Sequence, residues 1–384
     1  NIGFSKKDVV EIKILEKAKE VRQELSVKKD SKKPNVAMIV TGGTIAARLN
    51  PKKGGVDWLD TPESLFRFYP EIFDRVNVLM VEVPFMKASE DMDFKDWQKI
   101  ARVCEKFLND SNVKGVIVTH GTDFLHYTSA ALSFMLRDLN KPVVLTYSQR
   151  SIDRASSDAS LNLQCSALTA ISDVAEVCLV GHASSNDDIC YVMPGTKVRK
   201  MHTSKRDAFE VVNDKPFTKV FLDRIERVSD YKVRNKNKVK LDTKFEDKVA
   251  LVKFYPGQSP DVLDYYVKNK YKGIVLEMSG LGHVSTSRSR NNWVKKVKEV
   301  IGKGIVVCAV SQCVFGRVDP LVYSNGREVL KTGVIYLKDM LAETAFVKLG
   351  WVLGHKEWAK SKDIVKEKML ENISGEFNDR LEMF

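Results

Sequence analysis

Short, mostly apolar runs recur along the chain. The first is Val36-Ala-Met-Ile-Val40, and others follow at 76–83, 113–118, 143–147 and 175–180. Stretches with helical spacing of apolar positions lie between several of them, at 94–109, 125–139 and 158–172. Runs of this length without polar alternation suit strands buried on both faces. Alternated with helices, they predict a parallel sheet covered on both sides. Residues 196–245 break the rhythm, and Lys232-Val-Arg-Asn-Lys-Asn-Lys-Val-Lys240 is a basic interruption that reads as a domain boundary. The alternation then restarts with strand 249–254, helix 261–270, strand 273–278, helix 291–301 and strand 305–310. A helix at 338–350 and a charged helical tail at 355–371 close the pattern.

The fold class expected is therefore α/β, with two parallel-sheet domains. The larger spans 34–235, and the smaller, with its helical tail, spans 236–384. Residues 8–15 partly alternate and read as a strand. The charged stretch that follows ends in Lys28-Lys29-Asp30-Ser31-Lys32-Lys33-Pro34, a linker composition, so 1–33 reads as a separate piece. The chain opens on Asn1 rather than Met, as a fragment or a processed product would. No internal repeat is evident.

Charge adds one feature to this picture. Lys and Arg number 62 against 50 Asp and Glu, a net charge of +12, which fits a polyanionic partner such as nucleic acid and equally a lysine-rich solvated surface. No apolar run approaches the ~18 residues a membrane-spanning helix needs, and no secretory signal is visible, so no membrane association is expected. The six cysteines, Cys104, Cys165, Cys178, Cys190, Cys308 and Cys313, form no Cys-x-x-Cys pair, and most lie inside apolar segments. That pattern predicts buried, reduced thiols in a cytoplasmic protein, with neither a disulfide framework nor a zinc site.

Three segments could carry chemistry. In Ile39-Val40-Thr41-Gly42-Gly43-Thr44-Ile45-Ala46 a strand runs straight into two glycines and a threonine. Glycine permits a sharp turn with exposed N–H groups, and Thr44 is offered at the carboxyl edge of a parallel strand, where α/β proteins bind ligands. An ordinary tight turn would look the same. The segment is neither a P-loop nor a dinucleotide fingerprint, because the required Gly-Lys-Ser/Thr and third glycine are missing. In Val116-Ile-Val-Thr119-His120-Gly121-Thr122-Asp123 a second strand ends in Gly-Thr, now beside a carboxylate. Asp123 read structurally is a cap for the helix after it. Two such turns in one sheet could instead face a single cleft. The third segment, Gly195-Thr-Lys-Val-Arg199-Lys200-Met-His202-Thr203-Ser204-Lys205-Arg206-Asp207, is either a solvated loop or the source of a base for a threonine nucleophile. Spacing does not choose among Arg199, Lys200, Lys205 and Arg206.

The Thr-Gly-Gly-Thr-Ile-Ala and Thr-His-Gly-Thr-Asp turns, in this order after apolar strands, resemble the two signatures of the L-asparaginase family. The similarity runs from about Val36 to about His355. Segments 149–158, 198–209, 280–285 and 343–355 are similar in particular to its archaeal glutamyl-tRNA(Gln) amidotransferase branch. The resemblance implies that Thr44 is the nucleophile that attacks a side-chain amide, that Thr122 is the second threonine, and that Asp123 and Lys200 complete a proton relay. It implies that Ser89 holds the substrate's α-carboxylate, with Glu90, Gly43 and Gly121 also at the substrate. Glu90 stands where simple asparaginases often carry glutamine, and the family's lid tyrosine is missing from Arg48 to Trp58, where Trp58 is the stand-in.

The resemblance also implies a small β-domain whose last strand is residues 1–15. In the amidotransferase branch the expected partner is a GatE-type subunit, in a heterotetramer with a homodimer of this chain at its centre. That partner would bind tRNA(Gln) and use ATP and magnesium, leaving this chain without a cofactor or metal of its own. Its small-molecule substrate is glutamine or asparagine. A free-standing cytoplasmic asparaginase and a non-catalytic binding module are the alternatives.

Overall fold

The computed structural model describes residues 30–50, 55–58, 66 and 68–381. The strand expected at 8–15, and the β-domain it would belong to, lie outside the described residues.

The first sheet is laid down by the apolar runs. Its first strand, β1, is Asn35–Val40. A hairpin of β2 (Ala47–Asn50) and β3 (Gly55–Trp58) follows, then β4 (Asn77–Glu82), β5 (Val116–Thr119), the two-residue β6 (Leu136–Arg137), β7 (Val143–Thr146) and β8 (Val177–His182). Strands β5, β7 and β8 are buried along their whole length, as is β1 after its first residue. That is why these strands read as unbroken Val/Ile/Leu runs. Three helices cover them: α1 (Phe94–Leu108), α2 (Leu125–Met135) and α3 (Ala159–Ile171). Helix α1 is started by a reciprocal capping box between Asp93 and Asp96.

The region that breaks the rhythm turns back on the same sheet. It follows β9 (Cys190–Pro194) and comprises β10 (Val198–Lys200), β11 (Phe209–Val211), β12 (Thr218–Val220) and β13 (Ile225–Arg227). The sheet order is β13-β12-β9-β8-β7-β5-β1-β4. Strands β4, β1, β5, β7 and β8 are parallel, and β9, β12 and β13 extend the edge in antiparallel fashion. An all-parallel sheet was the expectation. Strands β12 and β13 at this edge have three residues each, and β13 is exposed throughout, so neither registers as an apolar run. Strands β10 and β11 form a separate antiparallel ribbon.

The segment from 232 to 240 runs without regular structure to β14 (Lys240–Leu241), which pairs with β6. A second, four-stranded parallel sheet follows in the order β15 (Val249–Lys253), β16 (Gly273–Met278), β17 (Val306–Ser311) and β18 (Ile335–Tyr336). Its helices are α4 (Val262–Lys268), α5 (Trp293–Gly302), α6 (Ser324–Leu330), α7 (Ala342–Gly354) and α8 (Lys362–Leu370). Helix α7 begins four residues later than the periodicity predicts. Lys338 adopts φ 51°, and Leu341 is extended, so 338–341 is a turn rather than a first helical turn.

The two sheets share one core. A single cluster of buried side chains joins Ala37 and Val118 of the first to Val275 of the second and Val347 of its helix α7. Helices α2 and α7 meet across it, with Phe134 stacked on Trp351 at 5.9 Å between ring centroids. Five of the six cysteines are buried and Cys313 is exposed. No helix among the described residues is long and apolar enough to cross a membrane.

The tail after α8 is fixed by a fully buried ion pair. Lys348 Nζ lies 2.5 Å from Glu376 Oε1 and also donates to the carbonyls of Met369 and Glu371. Glu376 in turn accepts from the N–H groups of Ile373 and Ser374. Lys348→Met should therefore leave a buried carboxylate uncompensated and cost about 3–5 kcal/mol in a denaturant titration. A loss below about 1 kcal/mol would mean the pair is not what holds the tail.

A second expectation concerns acid. His120, at the end of β5, is completely buried. Its Nδ1 lies 2.8 Å from the carbonyl of Gly121, which can only accept, so Nδ1 carries the proton; Nε2 accepts from the Thr128 hydroxyl at 2.9 Å. Burial pushes its pKa down to about 4. The unfolded chain, with its histidine near 6.5, binds this proton first. Stability is complete above pH ~6.5 and falls as pH drops toward 4, by up to ~3 kcal/mol from this residue. Urea midpoints measured across that window should fall less steeply for His120→Asn than for the parent. Equal slopes would contradict a neutral buried His120.

Candidate active site

Adjacent parallel strands place their ends side by side. Val40 of β1 is in register with Thr119 of β5, and Thr119 with Thr146 of β7. Those ends are stitched together by hydrogen bonds. Thr41 N and Oγ1 both donate to the Thr119 carbonyl, His120 N donates to the Thr146 carbonyl, and Lys87 N donates to the Thr41 carbonyl. Thr44 and Thr122 each lie three residues beyond these stitched positions, on neighbouring strands.

The two glycine turns touch. Gly43 sits at φ 82°, in the region that disfavours side chains, and a Cβ there would lie 2.5 Å from Gly121 N. Thr44 then opens a single 3₁₀ turn, Thr44–Ala46, and is half-buried. Gly121 backs onto Ser89: a Cβ on Gly121 would come 3.1 Å from Ser89 Oγ. Ser89 is buried in its own 3₁₀ turn, Ser89–Asp91, and accepts from Phe124 N at 3.3 Å. The segment carrying it is tied to α1 by Lys87 Nζ on Asp96 Oδ2 at 2.6 Å. Gly43, Gly121 and Ser89 are thus in direct contact, and Glu90 stands exposed beside them. A cleft of about 450 Å³ opens on the Ser89 side of this contact, walled by Ser89, Glu90, Trp97, Phe124, Tyr127 and Phe346; Thr44, Thr122, Asp123 and Lys200 do not line it.

Lys200, the last residue of β10, reaches the second turn from the other direction. Its Nζ donates to Thr122 Oγ1 at 2.8 Å and to Asp123 Oδ1 at 2.7 Å, while only 9 % of the side chain is exposed. Asp123 makes no side-chain cap on α2. Its carboxylate is paired with the lysine instead.

The remaining cations of the basic run are spread out. Arg199 pairs with Glu343 at 3.2 Å, Arg206 grips Asp187 through both carboxylate oxygens, and Lys205 is exposed. Of the four residues that spacing left open, Lys200 is the one placed against Thr122 and Asp123. Trp58 closes the β2–β3 hairpin opposite Ala47, and residues 51–54 of that loop lie outside the described residues.

His120, Glu343, and Lys87 with Asp96 adjoin the site without having been singled out for it, and Arg199, one of the four candidate cations, pairs with Glu343. His120 shares the second motif, but its partner Thr128 is on the next helix. Glu343 lies 144 positions from Arg199 in the chain. Only Asp96 left a local trace, as the second member of the Asp93-x-x-Asp96 capping pattern. The described residues hold no group of three or more His, Cys, Asp or Glu side chains arranged to bind a metal ion.

The chain is similar to known proteins along nearly all of its length. Residues 35–232 match the family description "Asparaginase, N-terminal", and residues 248–366 match "Glutaminase/Asparaginase C-terminal domain". A Thermococcus kodakarensis protein, named as the D subunit of glutamyl-tRNA(Gln) amidotransferase, is 48% identical over 382 residues, 98% of this chain and 84% of the relative. One of the same name from Methanothermobacter thermautotrophicus is 42% identical over 99% of this chain and 86% of the relative. Among solved structures, the thermostable L-asparaginase from Thermococcus kodakarensis superposes with a TM-score of 0.78 at 29% identity, covering 90% of this chain and 100% of that one. L-asparaginase I from Vibrio cholerae superposes with a TM-score of 0.75 at 27% identity, covering 90% of this chain and 99% of that one. With both family domains matched in order and relatives this similar over this coverage, the chain belongs to the asparaginase family, alongside the glutamyl-tRNA(Gln) amidotransferase D subunits.

Proposed function

We propose that this chain is the amidase subunit of a glutamyl-tRNA(Gln) amidotransferase, and that it releases ammonia from the side-chain amide of glutamine or asparagine. The observation that carries the reading is the amine of Lys200 held between the Thr122 hydroxyl and the Asp123 carboxylate, beside the turn that presents Thr44. The Thr44 hydroxyl oxygen bonds to the amide carbon. Its proton passes by way of Thr122 to Lys200 in its neutral form, and Asp123 balances the ammonium so made. The proton goes on to the leaving nitrogen, the C–N bond breaks, and ammonia departs. Water then cleaves the Thr44 ester, giving the free acid and restoring the hydroxyl. N–H groups of the glycine turns are suited to the oxyanion formed in both steps. Ser89 and Glu90 are assigned to the substrate's α-carboxylate and α-ammonium end, with Gly43 and Gly121 forming the floor.

In this reading the ammonia is used by a GatE-type partner subunit, which binds tRNA(Gln) and carries ATP and magnesium. Two copies of this chain form the centre of the assembly, and the reaction takes place in the cytoplasm. The large unit is 34–235 and the smaller 236–384.

Substitutions test the assignments. Thr44→Val should fold normally by circular dichroism and lose ammonia release by ~10⁴-fold or more. Lys200→Met should lose turnover at neutral pH, and Lys205→Met should keep it. Near-normal activity of folded Thr44→Val, or equal losses from the two lysines, would sink these roles.

Coupling tests the assembly. Glutaminase activity should rise when the partner and Glu-tRNA(Gln) are added. A coupling of ~1–3 kcal/mol corresponds to roughly 5–150-fold. Full activity of the lone chain, unchanged by both additions, would favour a free-standing asparaginase. Folded protein with no amide hydrolysis under any condition would favour a binding module.

A further inference from the structure

The strand that ends in Lys200 is held from behind by the second sheet's unit. Successive side chains of an extended strand point to opposite faces. Lys200 reaches Thr122 and Asp123, and Arg199 turns the other way, where its Nη2 lies 3.2 Å from Glu343 Oε1 in the first turn of α7. Two residues earlier, on Arg199's side, Lys197 makes a fully buried pair with Asp339 at 2.5 Å. Next to it the Thr344 hydroxyl donates to the Thr196 carbonyl at 2.9 Å. Residues 196–199 are therefore laced to residues 339–344 at three successive points.

The outermost of these points is charge-matched by one residue. Glu343 is 6 % exposed, and its Oε2 has no hydrogen-bond partner. His126 Nε2 lies 3.9 Å from Glu343 Oε1. Burial, aided by the nearby Arg199 and Lys200, pushes His126 down to about 3, so it stays neutral and supplies no compensating charge. Arg199 is the cation paired with this carboxylate. His126 itself lies three residues beyond Asp123 on α2. The Glu343 carboxylate thus lies between the strand that carries Lys200 and the helix that follows Asp123.

We infer that Arg199, held by Glu343, is a positioning residue for Lys200: it fixes the end of β10 so that the lysine amine stands between Thr122 and Asp123. The inference rests on the assignment of Lys200 to the proton relay. Removing the pair frees the strand end while leaving Ser89, Glu90 and Thr44 in place, so it should slow the proton transfers without loosening substrate.

The test uses the full chain with its partner and Glu-tRNA(Gln), and reads ammonia release. Arg199→Met keeps the aliphatic stem and removes the charge, and Glu343→Gln is nearly isosteric. Each should lower kcat by about 10–100-fold, the scale expected for a reacting group displaced by about 1 Å. KM should stay within ~2-fold, since uniform substrate binding is untouched. Arg199→Lys, which restores a cation for a single-contact pair, should recover most of kcat. A general loss of structure would instead lower the folded fraction and not be restored by lysine. If Arg199→Met does not fold, Glu343→Gln decides on the same readout. Unchanged kcat in folded Arg199→Met or Glu343→Gln, a raised KM with kcat intact, or Arg199→Lys as slow as Arg199→Met would each overturn the inference. Lys200→Met separates the layers. If it stays active, the relay assignment itself is wrong. If it is inactive and Arg199→Met is fully active, only the positioning role fails.

Discussion

The close approach of two glycine turns sets the geometry of everything around them. Neighbouring parallel strands lie about 4.8 Å apart, so the residues just beyond β1 and β5 meet only if neither carries a side chain on the facing side. Gly43 meets this condition toward Gly121, and Gly121 meets it toward Ser89. The threonines that follow these glycines inherit their placement from the backbone. Any β-carbon at Gly43 would move the first turn off the second, because what it meets is backbone and not the end of a flexible side chain.

Much of this was legible in the chain because it is written in local patterns. The buried parallel strands left unbroken apolar runs, the glycine turns left Gly-Gly-Thr and Gly-Thr-Asp directly after them, and the helices left their periodicity. What was illegible is what depends on distance in sequence or on very short elements. Strands β12 and β13, of three residues each, carry no alternation long enough to detect, so the antiparallel edge of the first sheet was missed. The choice of Lys200 from a run with four candidate cations required knowing which face of a three-residue strand looks toward Thr122. Asp123 shows the same limit from the other side. Its position one residue before the helix cap fits a capping role, and only the approach of Lys200 gives its carboxylate another use.

The basic run also shows why net charge says little about function at this scale. Its cations do unlike things: Lys197 and Arg199 join the two units, Lys200 turns to the second glycine turn, and Arg206 braces a neighbouring loop through Asp187. The segment at 232–240, which raises the positive count further, places Arg234 in structural service, donating to the carbonyls of Ser172, Lys114 and Ala170. A surplus of +12 is therefore not a single surface. Part of it is consumed in holding the fold together, and only the exposed remainder is available to a polyanion.

The two units divide the work at the site. The first supplies both threonine turns, Ser89 and the β10–β11 ribbon that bears Lys200. The second provides Asp339, Glu343 and Thr344, the anchors against which that strand is set, and Phe346 on the cleft wall shared with Ser89. The common core makes this an arrangement with little slack: Phe134 on Trp351 fixes α2 to α7, and those helices carry His126 and Glu343 near their amino ends. A displacement of α7 would therefore be felt first at Glu343, then at Arg199, and one residue later at the lysine. The placement of Lys200 against Thr122 and Asp123 is a property of the packing between the units, because a three-residue strand paired to β11 has too few backbone hydrogen bonds to define it alone.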